Sequence, residues 1–401
     1  MTHSNDKSVG RRTALQTLGA LGGALGAAGA MSARGISPAL AQAGWSPEPH
    51  PMAERIFVID GVAHCYNHAD YNRRIKRAAV NSINTTHRYH VACTPETYRL
   101  TYEQWTRDWQ ADEVADIMFL ESHTDMMIMH SVPMNDLYYD GLVSNEKGAY
   151  LKNTYPERVL WYGALDLFQP YDDVMELTDR LIAQGCDGVK FYPTRVNFET
   201  GQPEGWLMDD EKVAFPVFEQ LQSKGVTHLA VHKLVGHVGP STAALGIDDL
   251  YKAAEAFPDL TFHLVHAGWQ NFEETADLMR ARENVTAVME GPMLFPLFDM
   301  DTFNQMMDVF MTKVDLDRLI YASTAVNQHP YWIINAFFDF EPPDGAAYTL
   351  TEDAKAKILG GNLARYHGID VAARRAALAE DKWGRAKAAN GLREPYVIQR
   401  S

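Results

Sequence analysis

Histidine, acidic and lysine side chains follow short apolar runs at several separate places in the sequence. They are His64, His130, Lys190, His232, His266, Glu290 and His329. Imidazole nitrogen and carboxylate oxygen can bind a divalent metal, and the same groups exchange protons near neutral pH. A single buried histidine is more often a hydrogen-bonded structural residue than a ligand. The order of the whole set along the chain, rather than any one member, therefore indicates a site.

Eight apolar runs alternate with amphipathic stretches and would position these side chains. The predicted strands are Ile56–Asp60, Met126–Val132, Val159–Leu165, Gly188–Phe191, His228–Val231, Thr261–Val265, Val285–Met289 and Leu319–Ala322. The predicted helices include Tyr171–Gln184, Asp210–Lys224, Ile247–Phe257, Phe272–Arg282 and Asp301–Thr312. Eight βα units predict an α/β fold of the (β/α)8 TIM-barrel type, whose active site lies at the carboxyl ends of the strands. An open doubly wound sheet is the alternative, weakened by the lack of a Gly-x-Gly-x-x-Gly motif.

The predicted barrel domain covers residues 45–380, with a tail at 381–401. Residues 66–125 do not follow the βα rhythm and hold many histidines, tyrosines and tryptophans. We expect them to form an insertion after the first strand, packed over the barrel mouth, where specificity elements usually lie.

The first 41 residues resemble a twin-arginine export signal. Arg11-Arg12 precedes an apolar run from Leu18 to Met31, and Ala39-Leu40-Ala41 matches a signal peptidase site. We expect cleavage after Ala41 and a periplasmic protein that crosses the membrane folded.

The net charge of −16, from 52 acidic and 36 basic residues, argues against nucleic acid as a partner. We expect a small-molecule substrate and no membrane association after cleavage. The sequence allows a homo-oligomer without indicating one.

Four segments carry a family resemblance over residues 56–370. They are Tyr155-Pro156-Glu157-Arg158, Gly188-Val189-Lys190-Phe191-Tyr192-Pro193, His266-Ala267-Gly268 and Gly360-Gly361-Asn362-Leu363-Ala364-Arg365. In these segments the chain resembles the amidohydrolase-related branch of the metal-dependent hydrolases, which includes aminocarboxymuconate semialdehyde and resorcylate decarboxylases. The resemblance implies hydrolysis of a C–N or C–O bond, or non-oxidative decarboxylation, of a small aromatic or carboxylate-bearing substrate.

The chain departs from the family pattern at two metal positions. The family's Asp-x-His-x-His becomes Asp60-Gly61-Val62-Ala63-His64, and its Gly-Ser-Asp becomes Ala322-Ser323-Thr324. Valine cannot bind a metal. Three hypotheses follow: one divalent metal, preferably zinc, held by His64, His232 and either Glu290 or His329; a metal-free acid–base enzyme; or a binding protein without activity.

The resemblance also assigns roles to further residues. His266 matches the strand-six histidine that moves a proton in the family, and we expect Glu290 and Lys190 to take part in catalysis beside it. His123, Tyr192, Arg195 and Trp269 are the predicted substrate-binding residues, because they offer charge and flat apolar surface.

Overall fold

The structure is a computed structural model that describes residues 44–197, 199–236, 242–269 and 271–401. The predicted signal segment 1–41 lies outside the described residues. Within the described part of the chain, no helix has the length and apolar character needed to cross a membrane.

Eight parallel strands form the central sheet. In spatial order they are β1 (Ile59–Ala63), β2 (Met126–His130), β3 (Val159–Leu165), β4 (Gly188–Phe191), β7 (His228–His232), β8 (Thr261–Val265), β9 (Val285–Val288) and β10 (Leu319–Ile320). The last strand meets the first through Gly61 N, which donates to Tyr321 O at 3.0 Å, and through a bridge between Ala63 and Ala325. The sheet therefore closes on itself, and the predicted (β/α)8 fold is confirmed.

Helices cover the outside of the barrel and connect its strands. The longer ones are α1 (Lys76–Cys93), α3 (Ala111–Leu120), α4 (Asn145–Thr154), α5 (Tyr171–Ala183), α6 (Phe215–Ser223), α7 (Asp249–Ala256), α8 (Phe272–Ala281), α10 (Met300–Lys313), α11 (Pro330–Asp339), α14 (Val371–Ala379) and α15 (Lys382–Asn390). The short ones are α2 (Tyr102–Trp105), α9 (Phe295–Phe298), α12 (Glu352–Ala356), α13 (Asn362–Tyr366) and α16 (Val397–Arg400). A two-stranded hairpin, β5 (Thr194–Asn197) with β6 (Gln202–Gly205), follows β4 and was not predicted.

Alternate residues of the strands point to opposite faces, and both faces are buried. One set, including Val62, Val265 and Val288, fills the barrel interior. The other set, including Val231 and Leu264, packs against the surrounding helices. This double burial explains why the strands appear in the sequence as nearly continuous apolar runs.

The first strand begins three residues later than predicted. Its pairing with β2 starts at Ile59 opposite Met126. On the other side of β1, Gly61 lets the chain approach the last strand closely. A β-carbon at Gly61 would lie 2.8 Å from Tyr321 O. The strand also ends three residues later than predicted, so it includes Val62 as well as Asp60. Asp60 Oδ1 accepts from Val62 N and Ser323 N at 3.1 and 3.0 Å.

The segment that follows the predicted domain packs beside the barrel. The segment 381–401, expected to be a tail, forms α15 and α16 and buries Trp383 and Tyr396. Tyr396 OH donates to Val326 O at 3.1 Å, close to the end of the last strand. The carboxyl terminus is thus part of the folded domain.

Candidate functional site

Three ionisable side chains converge at the carboxyl ends of β1, β8 and β9. His64 Nε2 lies 3.7 Å from Glu290 Oε1, and His266 Nε2 lies 3.8 Å from Glu290 Oε2. All three side chains are at least seven-eighths buried. One carboxylate is therefore flanked by two imidazole rings, an arrangement suited to proton transfer on both sides of a bound molecule.

Backbone carbonyls determine which nitrogen of each ring carries a proton. His64 Nδ1 lies 3.1 Å from His130 O, and His266 Nδ1 lies 3.2 Å from Glu290 O. A carbonyl oxygen only accepts, so each Nδ1 is the donor. The Nε2 atoms of both rings are thereby left to exchange protons near the Glu290 carboxylate.

His232 supports His266 from the end of β7. Its Nε2 donates to Val235 O at 2.7 Å, while its Nδ1 lies 3.2 Å from His266 Nε2. Since the other nitrogen of each ring already donates to a carbonyl, a hydrogen bond between the facing nitrogens requires one additional proton. Tyr192 stacks on His232 with ring centroids 4.2 Å apart and holds its plane.

Charges around Glu290 favour its ionised form. Burial raises the pKa of the carboxyl, but the positive charges of His266, His64 and Lys190 outweigh burial and hold that pKa well below its usual range. Burial lowers the pKa of His266, an effect that the Glu290 charge opposes. The pair of His232 and His266 consequently releases its additional proton easily. A group that acts in turn as acid and base must be able to do this.

Lys190 is the most unusual charged group near the site. It is fully buried on β4, its Nζ has no hydrogen-bond partner among the described residues, and it lies 5.4 Å from the Tyr192 ring centroid. Burial lowers the pKa of Lys190 to about 8, although the Glu290 charge works against this. A buried ammonium without a hydrogen bond destabilises the fold, so its retention points to a functional role.

A cavity opens in front of these residues and is lined mainly by apolar and uncharged side chains. The residues lining it are His64, Tyr66, Ser82, Thr85, Thr86, Tyr89, Leu142, Tyr192, Val235, Gly236, His266, Trp269, Glu290, Gly291, Leu294, Thr324, Asn327 and Gln328. Ser82, Thr85, Thr86 and Tyr89 come from α1, so the insertion after β1 contributes one wall. Glu290 is the single carboxylate of this described lining, which includes neither lysine nor arginine.

The chain bends sharply where the strands deliver these side chains. Leu234, His266 and Thr324 follow β7, β8 and β10 with φ values of 68°, 67° and 67°. Left-handed backbone at non-glycine residues is costly and concentrates at functional sites. Gly291 has φ 88°, and a β-carbon there would lie 2.6 Å from the Trp269 ring, so glycine allows Trp269 to line the cavity.

The residues present do not fit the predicted metal site. Val62 belongs to the apolar barrel interior, and Thr324 is held in its turn by a backbone bond from its N to Val62 O. Both ring nitrogens of His232 are engaged, as described above, and the Lys190 charge lies near Glu290. Among the described residues, no three His, Cys, Asp or Glu side chains are arranged to hold a metal ion.

His329 does not join the site, contrary to the metal hypothesis. Its Nε2 lies 3.0 Å from Glu121 Oε2, and its Nδ1 accepts from Tyr331 N at 3.2 Å where α11 begins. Glu121 also accepts from Arg393 and from Tyr396 N. His329 thus belongs to a buried network that ties the carboxyl-terminal segment to the barrel.

Two of the four predicted substrate-binding residues lie outside the cavity. His123 precedes β2 instead of following it, and it packs against Tyr331 and Phe338. Arg195 lies on the β5–β6 hairpin, where it pairs with Glu204 at 2.8 Å. Tyr192 and Trp269, the other two, line the cavity.

Several cavity residues were not predicted because their sequence context is ordinary. Asn327 and Gln328 follow the last strand in a loop, and their buried side-chain oxygens have no hydrogen-bond partner among the described residues. Tyr66 and Tyr89 belong to the aromatic-rich insertion, but only the fold shows which of its aromatic residues face inward.

Comparison with known proteins places this geometry in a family. The sequence model of the Amidohydro_2 family, described as amidohydrolase, matches residues 151–368, which is more than half of the chain. No curated protein matches the sequence. A TIM-barrel protein of Bordetella bronchiseptica, described as uncharacterized, is 17% identical with a TM-score of 0.55, over 80% of this chain and 100% of that one.

A second similar structure is an enzyme. The 5-carboxyvanillate decarboxylase of Novosphingobium aromaticivorans, solved with manganese and 4-hydroxy-3-methoxy-5-nitrobenzoic acid, is 14% identical with a TM-score of 0.50. The match covers 81% of this chain and 100% of the decarboxylase. At such identities the likeness extends to the fold. The sequence match, over a barrel with ionisable residues at its strand ends, shows that this chain belongs to the amidohydrolase family.

Proposed function

We propose that this protein is a hydrolase that cleaves a C–N or C–O bond next to a carbonyl in a small, uncharged, largely apolar substrate, without a metal. The observation that carries the proposal is the placement of His64 and His266 on opposite sides of the Glu290 carboxylate. These residues meet at the strand ends, where enzymes with this fold carry out their chemistry.

The histidines divide the proton transfers. His266 Nε2 takes a proton from the attacking water when it holds no extra proton, and the water oxygen forms a bond to the carbonyl carbon. His64, protonated on Nε2, donates that proton to the leaving nitrogen or oxygen as its bond to carbon breaks. The proton on His266 is then released to solvent and His64 takes one up, which restores both residues for the next turnover. Glu290 stabilises the imidazolium of either ring, as the carboxylate of a catalytic triad does.

The charge of the cavity favours hydrolysis over decarboxylation. A substrate for decarboxylation arrives as a carboxylate anion and would meet the Glu290 carboxylate at close range. Lys190, behind the cavity wall, already compensates the Glu290 charge, and the described lining supplies no further lysine or arginine for a substrate anion. Arg195 is paired with Glu204, and Lys233 is buried against Asp249. An uncharged amide, ester or lactone with a flat apolar group meets no such repulsion.

A substrate panel tests this choice of reaction. We expect turnover of uncharged aromatic amides, esters or lactones, followed by release of acid, and no release of carbon dioxide from hydroxybenzoates. Carbon dioxide release without acid formation from the uncharged compounds would contradict the proposal. Binding of these compounds with no turnover of either class would instead identify a binding protein.

We also propose that the protein is exported to the periplasm by the twin-arginine route. The basis is the order of Arg11-Arg12, the apolar run and Ala39-Leu40-Ala41. Replacing both arginines by lysine should leave unprocessed precursor in the cytoplasm, as measured by fractionation and the mass of the chain. Normal accumulation of the mature chain in the periplasm would contradict the route.

A further inference from the structure

A buried ion pair lies directly behind the site. Lys233 follows His232, and its Nζ donates to Asp249 Oδ1 and Oδ2 at 2.8 and 2.6 Å and to Ala244 O at 2.8 Å. Asp249 is the first residue of α7. Two apolar side chains often stabilise a fold as well as a buried ion pair does, because desolvation offsets the attraction between the charges. Stability alone therefore does not account for this pair.

The pair anchors a tight turn. Val235 N donates to Lys233 O at 2.8 Å across Leu234, whose φ is 68°, and these two features define a γ-turn. Leu234 N donates to Leu245 O at 2.9 Å, so the turn is fastened to the segment that Lys233 also holds. A left-handed leucine is strained, and surrounding contacts must maintain it.

The γ-turn points the carbonyl of Val235 at the His232 ring. Val235 O accepts from His232 Nε2 at 2.7 Å, which is the contact that keeps the proton of His232 on Nε2. His232 Nδ1 is then available to His266 Nε2 at 3.2 Å. The buried ion pair is thus connected to the proton-transfer residue through one turn and one imidazole ring.

We propose that Lys233 and Asp249 are positioning residues that set the tautomer of His232 and thereby keep its Nδ1 facing His266 Nε2. The effect on the tautomer rests on the hydrogen bonds alone. The effect on turnover rests additionally on the proposed function. In metal sites, replacing a group that orients a histidine in this way typically lowers metal affinity or activity by roughly 10–100-fold. We expect a loss of turnover of similar size here.

The test compares a charge-free double variant with a matched control. Lys233→Met/Asp249→Asn removes both charges while an amide oxygen is kept for Met208 N, which donates to Asp249 Oδ2 at 2.8 Å in the native chain. We expect ¹⁵N-histidine NMR to lose the single Nε2–H tautomer of His232, and kcat to fall about tenfold or more with a smaller change in KM. Lys355→Met removes a buried lysine that bonds Phe338 O and Glu341. It should change neither readout.

A third variant separates positioning from general destabilisation. Glycine adopts a positive φ without strain, so adding Leu234→Gly to the double variant should restore the tautomer and part of the turnover. If the double variant does not fold, Lys233→Gln/Asp249→Asn, which is also free of charge and keeps hydrogen-bonding groups at both positions, is measured in its place.

An unchanged His232 tautomer in a folded variant would overturn the proposal. Loss of the tautomer with full turnover would support the positioning of His232 and contradict the catalytic role given to the site.

Discussion

Replacing His266 by asparagine should lower kcat by roughly 10²–10⁴-fold while substrate binding changes little. Asparagine preserves polarity and much of the volume, but it cannot accept the proton of the attacking water. The measurement is steady-state kinetics on the best substrate of the panel, with binding followed separately by calorimetry.

A matched control for this variant is His123→Asn. His123 is also buried, and burial lowers its pKa to about 3, but it packs against Tyr331 and Phe338 outside the cavity. Its replacement should leave kcat unchanged. Equal kcat for native protein and His266→Asn would remove His266 from the mechanism.

Replacing Lys190 by methionine should stabilise the protein and lower its activity together. Methionine fills a similar volume without a charge, so the cost of burying an ammonium without a hydrogen bond disappears. Burial lowers the pKa of Lys190 from 10.5 to about 8. This difference corresponds to a gain of up to about 3 kcal/mol in the free energy of unfolding near pH 7. Activity should fall about tenfold or more, because Glu290 loses a compensating charge.

The gain in the free energy of unfolding from Lys190→Met should decrease as the pH rises. Below pH 8 native Lys190 carries its proton in the folded chain, so the whole penalty is present. Between pH 8 and 10.5 the folded chain releases the proton before the unfolded chain does, and the penalty fades. Urea unfolding of both proteins at pH 7 and pH 10 checks this. A gain that is the same at both values, or a loss at pH 7, would contradict the buried charged state.

The barrel could be predicted because both faces of its strands are buried. Val159–Leu165 is an almost continuous apolar run, and Thr261–Val265 is interrupted only by Thr261 and His263; the structure has strands with the same bounds. The start of β1 was misplaced because the apolar residues Ile56, Phe57 and Val58 precede Ile59, the first residue that pairs, without a break in the pattern. The close contact of β1 with the last strand depends on Gly61, whose missing side chain matters only once that strand lies beside it.

The site could be predicted only where a strand end determines a position. His64, His232, His266 and Glu290 lie at the ends of strands or within two residues of them, and the structure brings them together. His329 comes nine residues after the last strand, and its partners Glu121 and Tyr331 could not be inferred from spacing. His123 precedes its strand and so lies away from the carboxyl ends, and the type of side chain on which its prediction rested carries no information about that position.

Turnover by protein freed of metal tests the central claim most directly. The protein would be dialysed against a chelator, its content of zinc, manganese and iron measured by mass spectrometry, and its kcat compared with that of untreated protein. We expect the two values to agree within about twofold, and added Zn²⁺ or Mn²⁺ to give no stimulation, because His266, His64 and Glu290 supply the proton transfers. Loss of activity on metal removal, restored by one equivalent of a divalent metal, would contradict the account and return His64, His232 and Glu290 to the role of ligands.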